Sequence, residues 1–167
     1  HMLRHDPAYA DKAATVSALA KDITEYLASL DIDDTVFAGA SHGNPRVAYH
    51  SACSMQHGQK ITRPPRDLLK QAGFEVAEIA EGHLCCGSAG VYNLLQPEIA
   101  GQLQERKRGN IRATQPDLVA TGNIGCMVQI ETDDLKVLHT VQLLDWAAGG
   151  PVPEKLRDRM PVAELAG

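Results

Sequence analysis

The chain lacks any apolar run approaching the roughly 20 residues that a transmembrane helix needs, and no signal peptide is visible at its start. It also lacks a basic stripe and a long acidic tail, because acidic and basic residues are mixed throughout and sum to a formal charge of -5. Nucleic acid is therefore disfavoured as a partner. We expect a cytoplasmic protein, with peripheral attachment at the inner membrane left open.

Cysteine is scarce as well, with four residues in a chain of 167. In the reducing cytosol, four cysteines are more typical of thiols or metal ligands than of a disulfide framework. A thiol enzyme with Cys53 or Cys86 as nucleophile is disfavoured, because the sequence has no triad order. It has no nucleophile elbow either, since Gly87-Ser88-Ala89-Gly90 lacks the Gly-x-Ser-x-Gly spacing.

The length suits one globular domain. We assign residues 3–150 to it and expect residues 151–167, which are Pro-rich and charged, to form a partly ordered tail. His1-Met2 is typical of the remnant left by tag removal. We therefore expect the chain to be a fragment whose natural N-terminus lies upstream.

Hydrophobic periodicity predicts an open, mostly parallel α/β sheet of four strands with helices on both faces. An apolar stripe at helical spacing predicts one amphipathic helix over residues 8–30, followed by a polar loop in which His42 is solvated. Strands are predicted at residues 46–50, 74–79, 117–121 and 136–139.

Helices are predicted between these strands. Pro64-Pro65 begins a short helix that Gly73 ends, a further helix begins near Met127, and Thr140 caps the last one. After Pro97, the pattern places Ile99, Leu103 and Ile111 inward. It places the cationic residues on the solvated face: Arg106, Lys107, Arg108 and Arg112.

The stretch His83-Leu-Cys-Cys-Gly-Ser-Ala-Gly90 places two adjacent thiols on a glycine-rich turn. Adjacent cysteines pair poorly with each other, because the vicinal ring strains the intervening peptide, so Cys85 and Cys86 point to a shared inorganic centre. Gly87 and Gly90 allow backbone conformations closed to other residues, so the loop can approach whatever the sulfurs hold.

The other two cysteines, Cys53 and Cys126, fall in loops after the first and third predicted strands. Ligands of open parallel sheets bind beyond the carboxyl ends of the strands, where all four cysteines are predicted to meet. Cys126 is also predicted at a helix N-terminus, which favours a thiolate. Other residues near these loops are candidate additional ligands, hydrogen-bond partners or loop glycines, with a structural role favoured over a ligand role for each histidine: His50, His57, His83, Asn123 and Gly125.

These motifs resemble a known family. His50-Ser-Ala-Cys53 with Gln56-His57, then His83 to Tyr92, then Asn123-Ile-Gly-Cys126 resemble the C-terminal cysteine-rich domain of the glycolate oxidase iron-sulfur subunit. The wider family includes heterodisulfide reductase subunits and iron-sulfur subunits of flavin-linked 2-hydroxyacid dehydrogenases, and the resemblance runs from about residue 6 to residue 149. The wider family ends in Cys-x-x-Cys, whereas Asn123 occupies the first of those positions here, which leaves four thiols for a four-iron cluster or a metal ion.

The resemblance implies an iron-sulfur electron-transfer domain of a glycolate dehydrogenase complex, carrying electrons from a flavin subunit toward a membrane acceptor. It implies a [4Fe-4S] cluster bound by the four cysteines, which an isolated fragment handled in air is expected to lose. The implied partners are ferredoxin-like and first cysteine-rich segments upstream in the same chain, together with flavin-containing subunits. The fragment by itself is not expected to be catalytically competent, and a homodimer of it is left open.

Three alternatives stay open at this point: a zinc-type structural site, a docking domain with incidental thiols, and a heterodisulfide or thiol redox domain. We also expect the surface around the cysteine loops to be a partner interface where the upstream repeat docks. Candidate exposed apolar residues for it are Met55, Leu84, Val91 and Tyr92.

Overall fold

The structure is a computed structural model that describes residues 2–38 and 43–159, except for the side chains of residues 158 and 159. His42, for which the sequence predicts a place in a loop, lies outside these residues. The chain divides between Ile32 and Asp33 into two compact units. Across the described ranges, every helix falls short of the length and apolarity that a membrane span requires.

The first unit contains helices α1 (Ala10–Leu19) and α2 (Ile23–Ala28). The prediction of one continuous helix is wrong, because Asp22 begins a new one. Its carboxylate accepts a hydrogen bond from the Thr24 backbone N–H at 2.8 Å, and the Glu25 carboxylate accepts one from the Asp22 backbone N–H at 3.1 Å. This reciprocal pair satisfies free N–H groups at a helix start and so breaks the chain into two helices.

The second unit alternates strands with helices. In chain order these are β1 (Arg46–His50), α3 (Pro64–Gln71), β2 (Glu75–Ala77), α4 (Tyr92–Leu95), α5 (Pro97–Arg112), β3 (Leu118–Thr121), α6 (Ile124–Ile130), β4 (Val137–His139) and α7 (Thr140–Ala147). Three short helical turns complete it: a 3-10 turn at Asp34–Phe37, a π-helical turn at Ser54–Gln59 and a 3-10 turn at Glu154–Arg159.

The four strands form one parallel sheet in the order β2-β1-β3-β4, which confirms the predicted fold class. Right-handed crossovers in this order place helices on both faces. In agreement, α3 packs against α7, and α5 packs against α6. β2 is shorter than predicted, with three residues, while the other strands agree with prediction to within a residue at each end.

The core lies between the sheet and its helices. Ala48, Val119 and Val137 from three neighbouring strands pack in one cluster with Ile111 of α5 and Ile130 of α6. Cys86 and Cys126 belong to the same buried cluster. The two thiols are therefore part of the packed interior and are not surface groups.

The predicted orientation of α5 is wrong for three residues. Ile99 is 48% exposed, whereas Lys107 is fully buried. Ala100, Lys107 and Ile111 are spaced at seven and four, so the helical period places them on one side of α5, and that side faces the core. Arg108 is also half-buried, because its guanidinium donates to the last carbonyls of α6, at Gln129, Ile130 and Glu131.

Capping of α7 also differs from the prediction. The cap is His139 and not Thr140, which is the first helical residue. The His139 ring accepts a hydrogen bond from the Val141 backbone N–H at 3.2 Å, and the Gln142 side chain accepts one from the His139 N–H at 2.9 Å. As predicted, the helix stops before Gly149, whose φ of +92° suits glycine.

Candidate metal centre

Two adjacent strand ends bring Cys53 and Cys126 to the same edge of the sheet. His50, the last residue of β1, pairs in register with Thr121, the last residue of β3. Cys53 follows His50 by three residues, and Cys126 lies in the first turn of α6, just after β3. The loop after β2, on the other side of β1, carries Cys85 and Cys86.

Among the thiols, the sulfurs of Cys86 and Cys126 are in contact. Their sulfurs lie 3.4 Å apart, and the two residues are 1% and 5% exposed. Cys53 and Cys85 are half-buried, and Cys85 lies close enough to Cys53 to raise the pKa of its thiol. All four cysteines are free thiols. The structure therefore brings the four cysteines into one neighbourhood, in which Cys86 and Cys126 are in contact.

The electrostatics of the pairs differ. The hydrogen bond with Cys126 holds the pKa of Cys86 well below its usual range, against the effect of burial, and neighbouring His50 lowers it further. The same hydrogen bond, together with burial, raises the pKa of Cys126. Burial, followed by the proximity of Cys85, raises the pKa of Cys53 to about 11. The close contact between the two sulfurs therefore favours the thiolate form of Cys86 and the protonated form of Cys126.

His50 lies beside this buried pair. Its side chain is 1% exposed, neither ring nitrogen has a nitrogen or oxygen partner among the described residues, and the polar neighbour of the ring is the Cys86 sulfur. One donor atom each from His50, Cys86 and Cys126 lie within 4.8 Å of one another. Buried polar atoms of native proteins almost always have a partner. The orphaned ring and two close thiols thus have the chemistry of a metal site.

Comparison with known families places the part of the chain that carries this site in one family. The family model described as Cysteine-rich domain matches residues 47–131, just over half of the chain, and that span holds all four cysteines and His50. The chain belongs to this cysteine-rich domain family. The resemblance predicted from the motifs is confirmed.

Curated relatives match a larger part of the chain. The glycolate oxidase iron-sulfur subunit of Escherichia coli K12 is 35% identical over 147 residues, which are 87% of this chain and 35% of the relative. The probable glycolate oxidase iron-sulfur subunit of Bacillus subtilis 168 is 32% identical over 159 residues, 89% of this chain and 35% of the relative. One subunit of the fumarate reductase (CoM/CoB) of Methanothermobacter marburgensis is 35% identical over 134 residues, 75% of this chain and 27% of the relative. The chain spans about a third of the length of these relatives.

The other candidate ligands differ from His50 in their burial and contacts. His57, in the π-helical turn, and His83, before the cysteine pair, are both exposed. Asn123 caps α6, and its side-chain oxygen accepts a hydrogen bond from the Cys126 backbone N–H at 3.1 Å. Asn123 therefore positions Cys126 through the backbone.

The glycines of the Cys-Cys-Gly loop have different roles. Gly87 has φ +96°, and a Cβ there would lie 2.4 Å from the Ala100 carbonyl oxygen, so only glycine lets this loop lie against α5. At Gly125 a Cβ would lie 2.8 Å from the Ser88 hydroxyl oxygen, which shows how closely the two cysteine loops approach each other. Gly90 has φ +68° with open space around it.

Lys107 is a site residue that the sequence pattern missed. Its side chain is fully buried, and its ammonium donates to the Glu81 carbonyl oxygen at 2.8 Å, four residues before Cys85. Burial lowers the pKa of Lys107, while the proximity of Cys53 and Cys86 opposes that shift. The spacing of Lys107 from Ala100 and Ile111 is the signal that could have found it.

Exposed apolar side chains surround the loops that carry Cys85, Cys86 and Cys126. We call this set the apolar rim: Val91, Leu94, Leu95, Ile99, Ile124 and Val128, which are 48–76% exposed. The three helices that carry it adjoin, since α4 packs on α5 and the Asn93 amide donates to the Gln129 side chain of α6 at 3.1 Å. Of the rim residues predicted from sequence, Val91 is exposed, Leu84 and Tyr92 are half-buried, and Met55 is buried and was wrongly included.

Proposed function

We propose that this chain is the iron-sulfur electron-transfer domain of a flavin-linked 2-hydroxyacid dehydrogenase complex, with glycolate as the substrate of the complex. The observation that carries the proposal is the buried pair of Cys86 and Cys126, 3.4 Å apart, with the other two free thiols at the same edge of the sheet. Thiolates are the ligands that iron-sulfur clusters prefer. Relatives named as iron-sulfur subunits of glycolate oxidase support the same assignment.

The residues present fit such a group. In this proposal Cys53, Cys85, Cys86 and Cys126 hold a [4Fe-4S] cluster, which when bound accepts and releases one electron. Burial of Cys86 and Cys126 keeps water away from the sulfurs. Asn123 holds the backbone of Cys126 in place, and Gly87 allows the cysteine pair to lie against α5.

In this proposal the chain does not itself catalyse oxidation of the hydroxy acid. Oxidation of the hydroxy acid takes place on flavin-containing partner subunits, and electrons pass from the flavin through this domain toward a membrane acceptor. The isolated domain is then an oxidoreductase component without turnover of its own. Its role is to bind the cluster, keep water away from it and set its reduction potential.

The apolar rim supports a partner in the same longer chain. We propose that an upstream cysteine-rich segment docks on the rim, next to a ferredoxin-like segment. The relatives are about three times as long as the matched region, which leaves room for such segments. Six exposed apolar side chains beside a buried site are more than scattered surface hydrophobics and are typical of a protein interface.

A zinc-type structural site is the second candidate. One observation favours it, namely that His50 lies with Cys86 and Cys126 in a group that mixes nitrogen and sulfur donors. Zinc is commonly held by cysteine and histidine together in tetrahedral structural sites. Such a site would stabilise the domain for docking and would not carry electrons.

Anaerobic reconstitution with iron and sulfide, with zinc present in a parallel sample, separates the two candidates. We expect about four iron atoms per chain and a paramagnetic signal on reduction. Single Cys→Ala variants at the four positions should lose most of the bound iron, whereas Ser54→Ala, an exposed change beside Cys53, should not. Tight binding of zinc with no bound iron would favour the structural site, and undiminished cluster assembly in all four cysteine variants would refute the ligand assignment.

A further inference from the structure

We infer that His50 binds the metal directly through a ring nitrogen, so that the centre is a mixed sulfur and nitrogen site. The inference deepens the proposed function and rests on the site being a metal centre. A single ion would take His50 together with Cys86 and Cys126. In a [4Fe-4S] cluster, whose four irons take one protein ligand each, His50 would replace one of the half-buried cysteines, Cys53 or Cys85, as the fourth ligand.

The position of His50 is set by the sheet. As the last residue of β1, it is fixed by backbone pairing with Thr121 on one side of the strand. Its ring is 1% exposed and lies in the same group as the Cys86 and Cys126 sulfurs, with the donor atoms within 4.8 Å of one another. Two thiols and an imidazole nitrogen at this spacing require little movement to reach one metal ion, given metal–ligand bonds of about 2.0–2.3 Å.

The hydrogen bonding of His50 points the same way. Neither nitrogen of the buried ring has a nitrogen or oxygen partner among the described residues, and the polar group beside the ring is the Cys86 sulfur. A polar group that is buried without a partner destabilises the fold, because it has lost its hydrogen bonds to water. A metal bond would satisfy one of the two ring nitrogens. A purely structural histidine would be expected to donate or accept at least one hydrogen bond.

The other two histidines near the cysteine loops serve as a comparison within the chain. His57 and His83 are exposed, and neither belongs to the group formed with Cys86 and Cys126. Proximity in sequence to a cysteine is therefore not enough to place a histidine beside the buried thiols. His50 lies there because it is the last residue of β1.

A nitrogen ligand changes the chemistry of the centre. Imidazole binds as a neutral ligand, so a centre that includes it carries less negative charge than one bound by thiolates alone. Replacement of thiolate by histidine raises the reduction potential of iron-sulfur centres. We therefore expect His50→Cys to lower the potential relative to wild type.

The test is pulsed electron paramagnetic resonance on protein labelled with 15N-histidine, loaded in separate samples with iron and sulfide and with Co(II) alone. We expect nitrogen hyperfine coupling of a directly bound imidazole in both samples. The signal should persist in the His57→Gln/His83→Gln double variant, which removes the two exposed histidines, and disappear in His50→Gln. Affinity for Co(II) should fall by about tenfold or more in His50→Gln.

The possible outcomes test the His50 inference and the iron-sulfur function separately. A cluster that forms without nitrogen coupling overturns the inference and leaves the iron-sulfur function standing. Nitrogen coupling to Co(II) without assembly of a cluster supports the inference and refutes the iron-sulfur function. Failure to bind either metal refutes both. Absence of nitrogen coupling in the wild-type cluster overturns the inference whether or not His50→Gln folds.

Discussion

Lys107 places a positive charge inside the protein beside a group of thiols. Within the part of the chain that the structure describes, no carboxylate pairs with its ammonium, whose observed contact is the Glu81 carbonyl. A buried charge without a counter-ion is costly. Thiolates that bind a metal carry the compensating negative charge, so Lys107 and the cysteine loops are expected to stabilise each other when the site is loaded.

Replacing Lys107 by methionine should separate these effects. Lys107→Met removes the charge and keeps most of the volume, so we expect the metal-free protein to unfold with unchanged or increased free energy. In the reconstituted protein the reduction potential should fall, by on the order of 1 kcal/mol or about 40 mV for a one-electron couple. Chemical denaturation and redox titration provide the two measurements. Lys70→Met, at an exposed lysine of α3, is the matched control and should leave the potential unchanged. A potential equal to wild type in Lys107→Met would contradict the electrostatic role.

At the scale of elements, α6 connects the sheet to the site. The helix begins at the end of β3, carries Cys126 in its first turn, and ends on carbonyls that the Arg108 guanidinium binds. The Asn123 cap fixes the first turn, because its side-chain oxygen binds the Cys126 N–H. The position of the Cys126 sulfur is thus set by a cap at one end and by α5 at the other.

Removing the cap should loosen this element and the site together. We expect Asn123→Ala to destabilise the protein by about 1 kcal/mol, because a free N–H of the first turn loses its acceptor. Metal affinity should fall at the same time, since Cys126 is no longer held in position. Asn123→Asp keeps a capping oxygen and should restore the stability, as measured by thermal and denaturant unfolding. Equal stability of the alanine and aspartate variants would show that the cap contributes nothing.

The whole molecule presents the apolar rim beside its buried site. If the rim is an interface for an upstream segment, the isolated chain has no cover for it and should self-associate as its concentration rises. The Leu94→Lys/Val128→Lys double variant should shift that association to at least about tenfold higher concentration, because it places charge on two of the three rim helices.

Sedimentation at increasing concentration measures this association. Val36→Lys, at an exposed apolar residue in the 3-10 turn outside the rim, should behave as wild type. The interface proposal fails if wild type stays monomeric at high concentration and binds no upstream cysteine-rich segment added in trans. Binding of that segment by wild type and not by the double variant would identify the occupant.

Much of the site follows from the sequence because its signals are local. Short β-branched runs separated by helical patterns specify parallel strands, and cysteines placed just after such runs meet at one edge of the sheet. The predicted positions of Cys53, Cys85, Cys86 and Cys126 required no knowledge of packing. The confirmed family resemblance depends on the same short motifs.

Only the tertiary structure decided which neighbours of the cysteines face the site. His50, His57 and His83 all lie within four residues of a cysteine. The end of β1, paired with β3, places His50 inside, whereas His57 and His83 lie outside the strands and are exposed. The cationic run predicts that Lys107 lies on the surface, yet the orientation of α5 against the sheet buries it. Burial depends on how elements rotate and pack against each other, and that arrangement is a sum of many distant contacts that a local pattern does not contain.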